Sequence, residues 1–274
     1  MSSTHLIGAR SLRLFSICAL AALTPFPLYA ANLVYAEDYF DYRLPSLVTD
    51  TCESRSDYSC PQIDIKYAAS SQGWINTMIN ARINQIVPGS QSETERTQPP
   101  SNAKVLTQAE VKKRLDGFAK SQLEDIPEGS SLNYSFEASP SYLGHMGEVE
   151  LFEINSYIYL GGAHGLGASE YMMFDTSSKR HIQLDDMLLA GQKSKFKALA
   201  YEQYKAWVRK DNNELKAYEK MWPFTLTDNA LLTDKGVVLR YQPYEIAAYA
   251  YGMPELTVPY NQLKGILKPK YIPH

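Results

Sequence analysis

Tyr159-Leu-Gly-Gly-Ala-His-Gly-Leu-Gly-Ala-Ser-Glu170 runs directly into Tyr171-Met-Met-Phe-Asp175 and, a few residues on, Leu184-Asp-Asp186. Aromatic and branched residues on both sides of a cluster of glycines describe a strand, a tight corner and a second strand, because glycine alone visits positive φ freely. Upstream, Leu132, Tyr134, Phe136 and Ala138 alternate with Asn133, Ser135 and Glu137, the period-2 pattern of a half-buried strand. A similar run covers Glu148 to Leu160 and breaks phase near Phe152, which predicts a bulge there and antiparallel pairing of the two runs around Ser139 to Gly147.

Outward from this centre, strands and helices come in blocks. Pro61 to Tyr67 alternates as a strand, and apolar positions Ile75, Met78, Ile79, Ile83 and Ile86 recur at three and four until Pro88-Gly89 ends that helix. A polar, proline-bearing loop spans Ser90 to Asn102, and Thr107-Gln-Ala-Glu110 has the form of a capping box opening a helix to about Asp125. Past the corner, a short strand passes through Ile182, Asp185-Asp186 opens a helical region, and Phe196, Leu199, Ala200, Tyr204 and Trp207 mark one face of a helix over 193–210. Short strands follow at Phe224–Leu226, Asn229–Leu232 and Gly236–Gln242, then an edge strand at Glu255–Tyr260, whose proline cannot donate to a ladder, and a closing helix at Asn261–Leu267. Blocks of this kind favour an α+β fold, an antiparallel sheet packed against a few helices.

The chain has 274 residues, 45% of them apolar and 21% charged, enough for a substantial core. Arg10 and Arg13 precede an apolar run, Leu14 to Leu23, and Pro25 and Pro27 lead to Leu28-Tyr29-Ala30, the layout of a signal peptide over residues 1–30 cleaved near Ala30. That apolar run is about ten residues, half of the roughly twenty a membrane-spanning helix needs, so no stable membrane anchor is expected. Loss of the leader removes two arginines from 27 basic and 30 acidic residues and leaves a net charge of −5, which argues against nucleic acid as a partner. Cys18 leaves with the leader, and Cys52 and Cys60 remain as an even pair that should form a disulfide in the periplasm or outside the cell, fastening an N-terminal arm over 31–60.

Candidate chemistry is sparse. His145, His164, His181 and His274 form no H-x-H, H-E-x-x-H or Cys/His cluster, so neither metal nor cofactor is expected. His164 stands between bare glycines and has two readings: a base or contact residue oriented by Asp185 or Asp186, or an imidazole that holds the corner through a carbonyl. The corner lacks the Lys-Ser/Thr and helix of a phosphate loop, and Ser156 and Ser169 lack the G-x-S-x-G elbow, so no catalytic set is assigned. Tyrosine is abundant, at 20 residues, and Tyr241-Gln-Pro-Tyr-Glu-Ile-Ala-Ala-Tyr-Ala-Tyr-Gly252 concentrates it. Tyrosine joins apolar area to a polar tip at little rotamer cost, which suits protein or glycan recognition, although the same run could plug the open end of a sheet.

Taken together, Gly161-Gly-Ala-His164, Phe174-Asp175, Leu184-Asp-Asp-Met187, the run Tyr241 to Gly252 and Val258-Pro-Tyr260 resemble the RsiV-type extracellular domain family. This domain type belongs to the anti-sigma factor RsiV and also precedes the deacetylase domain of PdaC. The likeness spans residues 60 to 268, within a domain over 61–274 whose N-terminal part is 61–128 and whose family-specific part is 129–268. It implies an envelope domain, one relative of which binds lysozyme. No sigma-binding segment and no deacetylase domain are expected, so what the resemblance carries over is recognition of a muramidase-type protein or a cell-wall glycan, through Gly161, Gly162 and His164 in one loop and Tyr241, Pro243, Tyr244, Glu245 and Tyr249 in the other. The alternative is an envelope hydrolase acting on peptidoglycan or another glycan through His164 and an acidic partner. Amino-terminal sequencing of the exported protein should read from a residue at or near Ala31; an intact leader on the exported protein would contradict the cleavage reading.

Overall fold

The computed structural model describes residues 33–54, 59–89, 105–127, 130–210 and 214–273. The expected leader and the expected loop over 90–102 lie outside the described residues. A larger sheet runs in sequence order through β1 (Glu37–Tyr39), β2 (Gln62–Ala68), β3 (Tyr134–Met146), β4 (Val149–Leu160), β5 (Leu166–Asp175) and β6 (Arg180–Ile182). A smaller one comprises β7 (Ala230–Leu232), β8 (Gly236–Arg240) and β9 (Glu255–Pro259). All neighbours are antiparallel except β2 and β3, which run parallel. The α+β expectation therefore holds, with one parallel pair added.

The phase break at Phe152 has a cause other than the expected bulge in β4. Val149 and Leu151 point into one core cluster, whereas Phe152 and Ile154 point into another. Strand β5 repeats the pattern, with Tyr171 and Met173 on the first side and Met172 and Phe174 on the second. Side chains alternate normally; both faces are covered, so neighbours such as Leu151 and Phe152 are both apolar. The register shift that does exist lies in β3, between Tyr142 and Gly144. The β3–β4 hairpin is also longer than expected, pairing Tyr134 with Leu160 through to Met146 with Val149, so most of the stretch from Ser139 onward is strand. Pro140 is tolerated there because the ladder to β2 ends at Ala138, and its outward carbonyl accepts the Tyr35 hydroxyl at 2.7 Å.

One face of the larger sheet is covered by α1 (Ser46–Glu53), α2 (Gly73–Ile86) and α3 (Gln108–Asp125). Ile75, Ile79 and Ile83 of α2 are fully buried, as the spacing predicts, and Thr107 and Glu110 close the capping box on α3. Helix α1 was not apparent in the arm; the Cys52–Cys60 disulfide, with Cα atoms 5.2 Å apart, ties it to the start of β2.

The other face packs against α5 (Lys193–Lys210), which follows the short α4 (Leu184–Met187), together with α6 (Leu215–Met221) and the smaller sheet. Helix α5 has the expected bounds and buries Phe196, Ala200, Tyr204 and Val208. Two expectations fail here. Phe224–Leu226 forms no strand, and the closing helix, α7, is only Tyr260–Leu263 before the chain turns at Gly265. Strand β9 is the edge strand its proline required.

Strand β6 covers only Met173–Asp175 of β5. Beyond it, the outer edge of β5 is completed by side chains: Asn229 accepts from Tyr171 N at 2.7 Å and donates to Ser169 O at 2.8 Å. Gln242 likewise accepts from Ser169 N at 3.1 Å and donates to Ser169 O at 2.6 Å. Two amides thus substitute for a neighbouring strand and leave no long edge open to aggregation. Asn229→Ala should lower stability by about 1–3 kcal/mol, the usual cost of a buried backbone group left unpaired, as read from the urea midpoint.

Candidate functional site

The glycine corner turns at Gly161, with φ of 75°, in the left-handed region that favours glycine. At Gly165 the requirement is spatial, because a Cβ there would overlap the Tyr157 ring. Room for the corner to fold back onto the domain therefore depends on a missing side chain. His164 is exposed, and its Nδ1 lies 2.9 Å from Gly165 O.

The tyrosine run folds onto this corner. Tyr249 stacks its ring on His164 at 4.0 Å between centroids and 21° between planes, and its hydroxyl donates to Gly165 O at 2.9 Å. Two segments some eighty residues apart therefore form one surface. Tyr244 is 50% exposed and extends that surface, its ring 5.7 Å from Tyr249 and 6.5 Å from Trp222, stacked on the latter at 29°. Tyr251 of the same run packs instead on Trp207 of α5, their centroids 5.5 Å apart.

Tyr244 holds a φ of 71°, rare for a residue with a Cβ and costing roughly 1–2 kcal/mol. The turn beneath it compensates: Gln242 N donates to Glu245 Oε2 at 2.8 Å, and Glu245 N donates to Gln242 O at 3.1 Å. Burial raises the Glu245 pKa, an effect opposed by the Gln242 amide. The remaining expected positions divide by burial. Tyr241 is fully buried, its hydroxyl donating to Thr225 O at 2.9 Å, so it supports the run from beneath and presents nothing to a ligand. Gly162 is exposed at the corner, while Gly161 and Pro243 are half-buried. Trp222 escaped the sequence reading, since a lone tryptophan before a proline carries no periodic signal.

His164 contacts no carboxylate among the described residues. Asp185 pairs with Lys193 at 2.7 Å, and Asp186 closes the cap on Gln183 and faces Arg180 at 3.8 Å. Ser169 is buried, donating to Glu153 Oε1 at 2.6 Å while Arg240 donates to its hydroxyl. Arg240 also pairs with Glu153 and, at 2.7 Å, with Glu255, and lies 4.3 Å over the Tyr171 ring. This cluster bolts the smaller sheet to β4 and β5. Burial works to raise the Glu153 carboxyl, but the Ser169 hydroxyl and the Arg240 guanidinium outweigh it, and the net shift is downward from an ordinary 4.5.

A family described as protein of unknown function, DUF3298, matches residues 185–261, a span that contains the tyrosine run but not the glycine corner. A solved DUF3298 family protein from Pseudomonas aeruginosa is similar at 24% identity, with a TM-score of 0.60 over 89% of this chain and 96% of that one. A second DUF3298 member, from Bacteroides fragilis, is similar at 19% identity, with a TM-score of 0.57 over 87% of this chain and 94% of that one. Among curated proteins, no relative matches. At these identities the likeness concerns the fold; the RsiV-type resemblance rests on the residues quoted from the sequence.

A carboxyl lowered on folding contributes stability above its unfolded pKa and loses it as pH falls through the folded value. Glu153→Gln should therefore cost about 2 kcal/mol at neutral pH and flatten the loss of stability between roughly pH 5 and pH 3, measured by urea titrations across that range.

Proposed function

We propose that this protein is an exported, non-enzymatic binding domain of the cell envelope whose aromatic surface recognises cell-wall glycan. The observation that carries this reading is the continuous array of His164, Tyr249, Tyr244 and Trp222, with Tyr244 held half-exposed in a costly backbone conformation. Aromatic faces of this kind pack against the apolar C–H faces of sugar rings, while the phenol tips reach hydroxyl groups. In this proposal residues 1–30 are the leader, 31–60 a disulfide-fastened arm, and 61–274 the binding domain. Export is further supported by the Cys52–Cys60 bridge. No helix among the described residues is long and apolar enough to cross a membrane.

The resemblance to the RsiV-type domain gives a second reading, in which the same surface meets a muramidase-type protein. The hydrolase alternative has less support, because Asp185 and Asp186 have other partners and His164 is stacked on Tyr249. Co-sedimentation with insoluble peptidoglycan separates these readings. The folded protein should be retained, and Trp222→Ala and Tyr244→Ala should each weaken retention roughly tenfold or more, as truncating an aromatic anchor does. Absence of retention by the folded chain, with capture on immobilised lysozyme instead, would replace the glycan by the protein partner. Hydrolysis of peptidoglycan that is lost in His164→Ala would restore the enzyme reading.

A further inference from the structure

A cleft of about 580 Å³ opens beside β5 and α2, and none of the four aromatic residues of the array lines it. Helix α2 runs antiparallel to β5 along its wall. Trp74 meets Phe174 edge-on, ring centroids 5.7 Å apart, and eight residues later Arg82 Nε donates to Glu170 Oε2 at 2.6 Å. Met78 on the helix and Met172 on the strand stand midway between those two contacts. Four residues of helix advance about 6 Å and two of strand about 6.8 Å, so the two methionines come opposite each other. His181 enters from β6: it pairs with Phe174 in the ladder and packs its ring on that side chain, 5.4 Å between centroids. That register makes His181 the diagonal neighbour of Met172, with backbones about 7–8 Å apart and long side chains within reach. All three residues line the cleft, and Met78, 40% exposed, leaves the corner open to solvent.

We propose that Met78, Met172 and His181 together bind one soft monovalent metal ion of the copper(I) class. Two thioethers and an imidazole favour such an ion over hard cations, which take carboxylate, carbonyl and water ligands. The donors are available. Met173 faces the other core and its thioether accepts from Leu232 N at 3.4 Å, whereas the thioethers of Met78 and Met172 and the ring nitrogens of His181 take part in no hydrogen bond among the described residues. Burial lowers the His181 pKa, with Asp186 opposing it, so the ring is neutral at neutral pH, the form that ligates a metal. Arg82 stays with Glu170 and supplies no ligand. Among the described residues no three His, Cys, Asp or Glu side chains cluster as a site for a harder cation. Donors on three separate elements, two of them methionines, leave no His/Cys spacing motif in the chain.

Calorimetric titration of the full exported chain with silver(I), a redox-inert ion of the same charge and softness, in chloride-free buffer at neutral pH tests this. Saturable binding of one equivalent is expected, and zinc(II) should bind far more weakly. Met78→Leu and His181→Gln should each weaken silver binding by about ten- to a hundredfold or more, the range lost even when a residue that merely orients a metal ligand is removed. Met78 is exposed, so its leucine variant decides alone should His181→Gln fail to fold. His145→Ala, at an exposed imidazole on β3, should leave the affinity unchanged. No saturable silver binding, equal affinity for zinc, or unaltered binding in Met78→Leu overturns the proposal. A loss in His145→Ala would place the ion elsewhere and overturn it equally.

Discussion

Everything in this fold leans on β5, a strand buried on both faces and completed along its outer edge by two side-chain amides. Such a strand has no solvent to satisfy its backbone, and each buried group left unpaired would cost about 1–3 kcal/mol. Asn229 and Gln242 meet that demand at Ser169 and Tyr171. Their geometry fixes where the smaller sheet docks, since Asn229 immediately precedes β7 and Gln242 follows β8 by two residues. Arg240, between Glu153 and Glu255, adds charged bonds across the same junction.

That docking has a consequence for the surface. Gln242 opens the tyrosine run, so fixing its amide on β5 delivers Tyr244 and Tyr249 to the glycine corner that feeds the same strand. The corner accepts them because Gly165 leaves its carbonyl to the Tyr249 hydroxyl and its Cβ space to Tyr157. The aromatic surface and the core are therefore parts of one construction: Tyr241 anchors the run in the interior while Tyr244, three residues on, is forced outward through a positive φ. On the side toward α2, Asn229 and Gln242 themselves line a cleft that also holds Arg82 and Glu170.

Elements with one buried face were legible from the residues. Helix α2 shows its isoleucines at three and four, α3 its capping box, β2 its alternation, and β9 its edge character through Pro259. Misreadings arose where burial was two-sided or locally unmarked. Leu151 and Phe152 looked like a slipped register because each faces a different core. The parallel pairing of β2 with β3, across more than sixty residues, leaves no local mark. Helix α1 lies in a segment whose polarity hides its periodicity, and Phe224–Leu226 has strand-like residues but no strand beside it.

For the candidate site, the sequence by itself determined its components: a glycine corner presenting one histidine, a tyrosine run, and the cysteine pair that points to an oxidising compartment. Residue types and their spacing carry that much, because conformational freedom, aromatic character and thiol chemistry are local properties. Only the tertiary structure decided that His164 stacks on Tyr249 and not against Asp185 or Asp186, that Tyr241 is interior while Tyr244 is presented, and that Trp222 joins them. Those relations depend on how two sheets meet along one strand edge, a long-range arrangement set by hydrogen-bond satisfaction, which no window of the chain contains.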